Sequence, residues 1–275
     1  MELTLAHSPD ADDAFMFSAL ALGKIDTGGY SFLHLLKDIE TLNRAALEGL
    51  YDISAISFHA YPYVSDNYLL LSCGASVGDG YGPLVVVGRD APEGLEPATI
   101  AVPGKLTTAY LVLQLWRPGV ATLVMPFDRI GEAVGSGTVE GGLLIHEGQL
   151  TYAREGLRKI VDLGEWWKKE TGLPLPLGGN VLHRRHAGRA AEISGFLKAA
   201  IQWALKHRKE ALKHALSFAR GLGEGEADRF VGMYVNAWTL DLGDTGRRAV
   251  AELLKRGREA GVLKQPVRLE WAAGG

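Results

Sequence analysis

Two kinds of residue in this chain could do chemistry: a histidine at the end of an apolar run, and hydroxyls where apolar runs give way to helices. His146 stands in Gly141-Gly142-Leu143-Leu144-Ile145-His146-Glu147-Gly148. Leu143 to Ile145 read as a short buried strand, and open α/β sheets place their ligands just beyond strand ends. The unperturbed imidazole pKa lies nearest neutrality, so the pattern predicts a proton acceptor that needs little tuning. A structural histidine closing the strand would give the same sequence. Thr107 and Thr108 open a predicted helix just after a strand and the turn Pro103-Gly104. The first N–H groups of a helix lack partners within it and attract anions. The two hydroxyls serve either as a cap or as a carboxylate clamp. Ser57, after the strand Ile53–Ile56, holds the equivalent place earlier in the chain, again as ligand contact or cap.

The run His7-Ser8-Pro9-Asp10-Ala11-Asp12-Asp13 has the oxygen-rich character of a magnesium or calcium site. No further spaced acids accompany it, so capping of the following helix, with some ligand contact, is the better reading and no metal is expected. His59 is expected to line the cleft. His183, His186, His207 and His214 are expected at the surface. The single cysteine, Cys73, lies in the apolar run Leu69–Cys73 and reads as a buried strand residue; no intrachain disulfide can form.

The elements that must position these groups alternate. Strands are predicted at Leu3–Ala6, Tyr30–Leu36, Ile53–Ile56 and Tyr68–Ser72, with helices at Ala14–Leu20 and Ile39–Leu47. Gly78–Pro83 reads as a turn feeding a crossover strand, Val85–Val87. The alternation restarts with strands at Thr99–Val102, Ala121–Met125, Leu143–Ile145 and Leu157–Leu163. Helices are placed at Thr107–Trp116, Arg129–Gly135 and Glu165–Thr171. Leu173–Gly179, with its two prolines, reads as an irregular return linker, and Ala187–Gly261 as helical. Strand–helix alternation implies mainly parallel sheets. Two such blocks predict two α/β lobes, residues 1–87 plus 181–275 and residues 88–180, with a ligand cleft between them.

With 275 residues the chain has room for two lobes. A net charge of −3 gives it no attraction to nucleic acid or to an anionic membrane. No apolar run approaches the ~20 residues of a membrane span. Met1-Glu2 leads directly into a strand without a basic or apolar leader, which predicts a cytoplasmic protein. Neither a dinucleotide fingerprint nor a phosphate loop is present.

Several stretches together resemble one family. They include Ser8-Pro9 with Asp13-Ala14-Phe15, Lys37-Asp38-Ile39-Glu40-Thr41-Leu42-Asn43, Ile56-Ser57-Phe58-His59-Ala60-Tyr61 and Gly82-Pro83-Leu84-Val85-Val86. Val102-Pro103-Gly104 with Thr107-Thr108-Ala109-Tyr110, Ile145-His146-Glu147, Asp162–Trp167 and Thr171–Gly178 complete the set. The chain resembles the 1,4-dihydroxy-6-naphthoate synthases of the futalosine route to menaquinone. The resemblance implies a two-lobed α/β fold like that of type II periplasmic binding proteins. It also implies cofactor-independent conversion of cyclic dehypoxanthinyl futalosine to the naphthoate and dihydroxyacetone. On that resemblance His146 is the catalytic base, Ala55, Ile56, Ser57, Thr108 and Ala109 contact substrate, and Thr107 and Asn43 lie close by. The implied partner is a small carboxylate substrate, and a homodimer is compatible with it. Where the family pattern reads Ser-Pro-Cys-Pro-Asn-Asp-Thr-Phe, this chain has Asp10 and Asp12, to which no family role transfers. The rival readings are a solute-binding protein for a small organic anion, which would share the fold, and the related chorismate dehydratase.

Overall fold

The computed structural model describes residues 1–218 and 222–273. Two mixed sheets form its two lobes. The first contains β1 (Glu2–His7), β2 (Ser31–Leu36), β3 (Ile53–Ser57), β4 (Tyr68–Leu70), β5 (Ser76–Gly78) and, from much later in the chain, β11 (Leu175–His183). The order is β2-β1-β3-β11-β4, with β5 also paired to β11. The second contains β6 (Leu84–Gly88), β7 (Thr99–Val102), β8 (Ala121–Val124), β9 (Gly141–Leu144) and β10 (Leu157–Asp162), in the order β10-β6-β9-β7-β8. The expected boundaries at 87 and 181 fall inside β6 and β11, each of which belongs wholly to one sheet.

The expectation of mainly parallel sheets is corrected. β1 runs parallel to β2 and β3, and β7 parallel to β8 and β9. β6 and β11, however, are antiparallel to their neighbours. Both strands carry the chain in from the opposite lobe, so they enter against the direction set by the strand–helix units. The run Leu173–Gly179 is likewise mostly strand rather than linker. Pro176 is tolerated because the register against β5 shifts between Pro176 and Gly178, and a bulge is where a strand accepts a residue without an N–H. The predicted helix Ala14–Leu20 is two short helices, Ala11–Met16 and Ser18–Ala21. The C-terminal stretch is helical as expected at Ala190–Lys206, Arg208–Ala215, Glu224–Tyr234 and Gly243–Glu259. Residues 219–221 of it lie outside the described residues. One buried cluster joins Ile56 and Val181 of the first sheet, Val85 and Ile100 of the second, and Leu253 and Leu254 of the last helix. No described helix is long and apolar enough to cross a membrane.

A half-buried carboxylate ties the first lobe together. Asp52 Oδ2 accepts from Thr4 N and Thr4 Oγ1, both at 2.8 Å, while Oδ1 accepts from Arg185 Nε at 2.9 Å and meets His186 Nε2 at 2.6 Å. Burial pushes its pKa up, but the bonds from His186, Thr4 and Arg185 outweigh that and hold it well below the usual carboxylate range. A depressed folded pKa gives stability that is present above the unfolded value and lost as pH falls through the folded one. Asp52→Ala is expected to cost about 2 kcal/mol at neutral pH, mainly through the Thr4 and His186 bonds, since the exposed Arg185 arm is screened. Denaturant titration at pH 7 and pH 3 checks this: the difference between wild type and variant should shrink at the lower pH.

Candidate functional site

β9 ends at Leu144, and two residues later the backbone of His146 turns left-handed, φ 57°. Such a backbone is uncommon outside glycine, although histidine enters it more readily than most residues. His146 O then accepts from Gln149 N at 3.2 Å as the chain begins a short helix. The ring packs edge-on to Phe127, with centroids 4.8 Å apart. Nδ1 lies 2.8 Å from Asp10 Oδ2, which reaches it from the other lobe. Nε2 is buried without a hydrogen-bond partner in the protein. Burial alone would push the imidazole down. The charge and hydrogen bond of Asp10, followed by the charges of Glu147 and Asp12, reverse this and lift it to about 9. The sequence expectation of a lightly tuned, near-neutral histidine is therefore corrected. The ring is cationic at pH 7 because carboxylates of the opposite lobe and of its own turn surround it.

Asp10, Asp12 and Asp13 sit where β1 meets the helix Ala11–Met16. Asp12 and Asp13 stand in its first turn as expected, but Asp10, at the N-cap position, makes no side-chain bond to the helix N–H groups. Asp13 Oδ2 accepts from Ser8 N at 2.8 Å. Burial, only partly offset by that bond, raises its pKa to about 6. Asp12 is raised well above the ordinary value by burial and by the charges of Asp13 and Asp10, and its buried Oδ1 has no protein partner. Among the described residues no group of three or more His, Cys, Asp or Glu side chains could hold a metal ion.

The two threonines divide the roles that sequence left open. Thr107 is the cap: its hydroxyl accepts from Tyr110 N at 3.1 Å and donates to Gly104 O at 2.8 Å. Thr108 Oγ1 accepts from His59 N at 3.2 Å, which leaves its own hydrogen for a ligand. His59 lies behind both threonines, with Nδ1 3.2 Å from Thr107 O and its ring stacked on Tyr110. It does not line the cleft as expected. Burial, against the Thr107 carbonyl, lowers its pKa to about 4, so it stays neutral. Ser57 is gripped by Asn43, whose Oδ1 accepts from Ser57 N at 2.8 Å and whose Nδ2 donates to Ser57 Oγ at 3.2 Å. Asn43 itself is fully buried and stands behind the wall.

His146, Ala55, Ile56, Ser57, Thr107, Thr108 and Ala109 all line one cavity of about 110 Å³ between the sheets. Asn43 is not among its lining residues. Sequence reasoning missed Gly178 and Gly179, hidden in the supposed linker, and Gln149, whose Oε1 accepts from Tyr234 at 2.6 Å across the cleft. It also missed the Asp10–His146 pair; the acid-rich run before the first helix was its only signal.

Residues 3–259 match the family model described as menaquinone biosynthesis. The chain is 41% identical over 262 residues to a 1,4-dihydroxy-6-naphthoate synthase of Thermus thermophilus, covering 94% of this chain and 95% of that protein. Its structure is similar to the crystal structure of protein AF1704 from Archaeoglobus fulgidus, with a TM-score of 0.89 and 43% identity over 95% of this chain and 98% of that one. At 15% identity, a Candida albicans protein with the generic periplasmic-binding-protein fold still superposes with a TM-score of 0.73, covering 97% and 92% of the two chains. That likeness carries the fold alone. The two sheets, the cleft between them and the match along nearly the whole length agree: this chain has the periplasmic-binding-protein fold and belongs to the menaquinone-biosynthesis family that includes the 1,4-dihydroxy-6-naphthoate synthases.

Proposed function

We propose that the chain is a cofactor-independent lyase that converts cyclic dehypoxanthinyl futalosine to 1,4-dihydroxy-6-naphthoate and dihydroxyacetone, with His146 as general base. The observation that carries this reading is a half-buried imidazole with one nitrogen held by Asp10 and the other, Nε2, buried and unpartnered, in the same cavity as a helix start suited to anions. Removing a proton beside an electron-withdrawing group starts an elimination, and forming an aromatic ring drives it. Such a step needs a positioned base, groups that hold the carboxylate, and shelter from water. Thr108, the first N–H groups of its helix and Ser57 supply the second requirement. Incubation of the protein with cyclic dehypoxanthinyl futalosine, followed by analysis for the naphthoate, tests the reading. Tight binding without turnover would favour a binding protein for an organic anion, which the fold equally accommodates.

Thr108→Ala removes one hydrogen bond to a charged ligand group and is expected to weaken binding by about 1.5–3 kcal/mol. Thr107→Ala should instead lower thermal stability through the lost cap, by about 1 kcal/mol. Calorimetry and melting curves of the two variants separate the roles. Equal loss of affinity in both would overturn the division between clamp and cap.

A further inference from the structure

We propose that Asp10 is the positioning residue of the His146 base, its carboxylate reaching across the cleft to fix the ring so that Nε2 is the atom presented to substrate. The proposal rests on the reading of His146 as base given above. Its first support is the contact itself, 2.8 Å from Nδ1 to Oδ2, made by a carboxylate that is 1% exposed. The second is what Asp10 forgoes. At an N-cap, aspartate ordinarily accepts from the helix N–H groups, yet here the side chain makes no such bond. The third is where the two residues come from. Asp10 follows β1 of the first lobe and His146 follows β9 of the second, so the pair exists only when the lobes are together.

The proton bookkeeping is simple. The substrate C–H proton goes to Nε2 and its electron pair stays on the substrate, passing into the adjacent electron-withdrawing group. The Nδ1 proton remains between the ring and Asp10, and the carboxylate takes up no proton; it orients the ring and stabilises the imidazolium that forms. Asp12 and Asp13 face the same ring from the helix start, and Glu147 from its own turn. Asp13 Oδ2 accepts from Ser8 N, and burial raises the Asp12 pKa well above the ordinary carboxylate value. Asp10 is the carboxylate that meets the ring at hydrogen-bond distance, 2.8 Å from Oδ2 to Nδ1.

The test is titration of the His146 Cε1 proton by NMR in the ligand-free protein, together with the pH profile of turnover, for wild type and Asp10→Asn. In wild type the ring should titrate near 9. In the variant it should fall toward or below the ordinary histidine value of about 6.5. In the same variant the pH-independent limit of kcat, reached above pH 9 where the ring is neutral in both proteins, should drop at least about tenfold, with KM little changed, since the ring loses orientation rather than the substrate its clamp. An unchanged His146 titration in folded Asp10→Asn overturns the proposal, as does unchanged kcat with an unchanged pH profile. Should Asp10→Asn not fold, the wild-type titration decides alone, because an ordinary histidine value there excludes the pair. If His146 titrates as expected in both proteins while wild type fails to convert the futalosine substrate, the pair stands and the proposed function falls.

Discussion

His146→Asn is expected to lower kcat by about 10²–10⁴-fold, the usual contribution of a positioned base, while the ligand still binds. Asparagine is the substitution to choose because it accepts the left-handed backbone that residue 146 adopts. Alanine there would add strain and blur the result. Affinity should survive because the hydroxyls and helix start proposed to hold the carboxylate lie on other elements. A structural histidine predicts the opposite pattern: a lower melting temperature with turnover per folded molecule kept. Measuring kcat, affinity and melting temperature on this one variant separates them, and near-normal turnover would end the catalytic reading.

The pH dependence follows with a definite sign. A base must be neutral to act, and the His146 pKa is raised to about 9. Wild-type kcat/KM, which reports the free enzyme, should therefore climb through neutral pH toward about 9 rather than level off near 6.5. Stability runs the other way. A raised histidine pKa stabilises the fold fully below the unfolded value of 6.5, and that contribution is lost as pH rises through about 9. In His146→Asn this part of the pH dependence of unfolding should vanish, which denaturant titration between pH 6 and 9 can read.

Sequence disclosed the parts of the site that depend on local order. Strand-end positions made His146 and Ser57 visible, and helix-start chemistry made Thr107 and Thr108 visible, because each signal lies within a few residues of its own element. Which threonine caps could not be read, since that depends on His59 arriving from the other lobe to occupy Thr108 Oγ1. The same limit hid Asp10. Its partner is 136 positions away in sequence (146 − 10), and from the local run its carboxylate could only look like a cap. The pKa of His146 was misjudged for that reason. β11 was missed because two prolines argue against a strand, and only the pairing with β3, β4 and β5 shows where the register absorbs one of them. Antiparallel pairing of β6 and β11 likewise follows from the two crossings between lobes rather than from any local pattern.

Those crossings meet at one glycine, and Gly164→Ala is expected to be strongly destabilising for a single added methyl. The first crossing, Tyr81–Pro83, leads from β5 into β6, and the second leaves β10 through Asp162 and the helix Leu163–Thr171 toward β11. Leu163 N donates to Pro83 O at 2.9 Å, and Gly164 N to the capping Asp162 Oδ1 at 2.8 Å, so the two backbones are pinned together here. A Cβ on Gly164 would overlap the carbonyl of Tyr81 and come within 2.6 Å of Gly82 N. The obstacle is backbone rather than a flexible side chain, so no rotamer change relieves it, and either the crossing or the helix cap must move. Overpacking of this kind costs about 3 kcal/mol, roughly 6–12 °C in Tm for a chain of this size. Gly195→Ala is the matched control. It lies exposed within the helix Ala190–Lys206, and a Cβ there meets nothing within 4 Å. Alanine should stabilise that helix by about 0.5–1 kcal/mol. Melting curves of opposite sign for the two variants are the expected result. A Gly164→Ala protein as stable as wild type would mean that the two crossings do not touch in solution as they do here, and that the lobes are joined more loosely than this backbone contact allows.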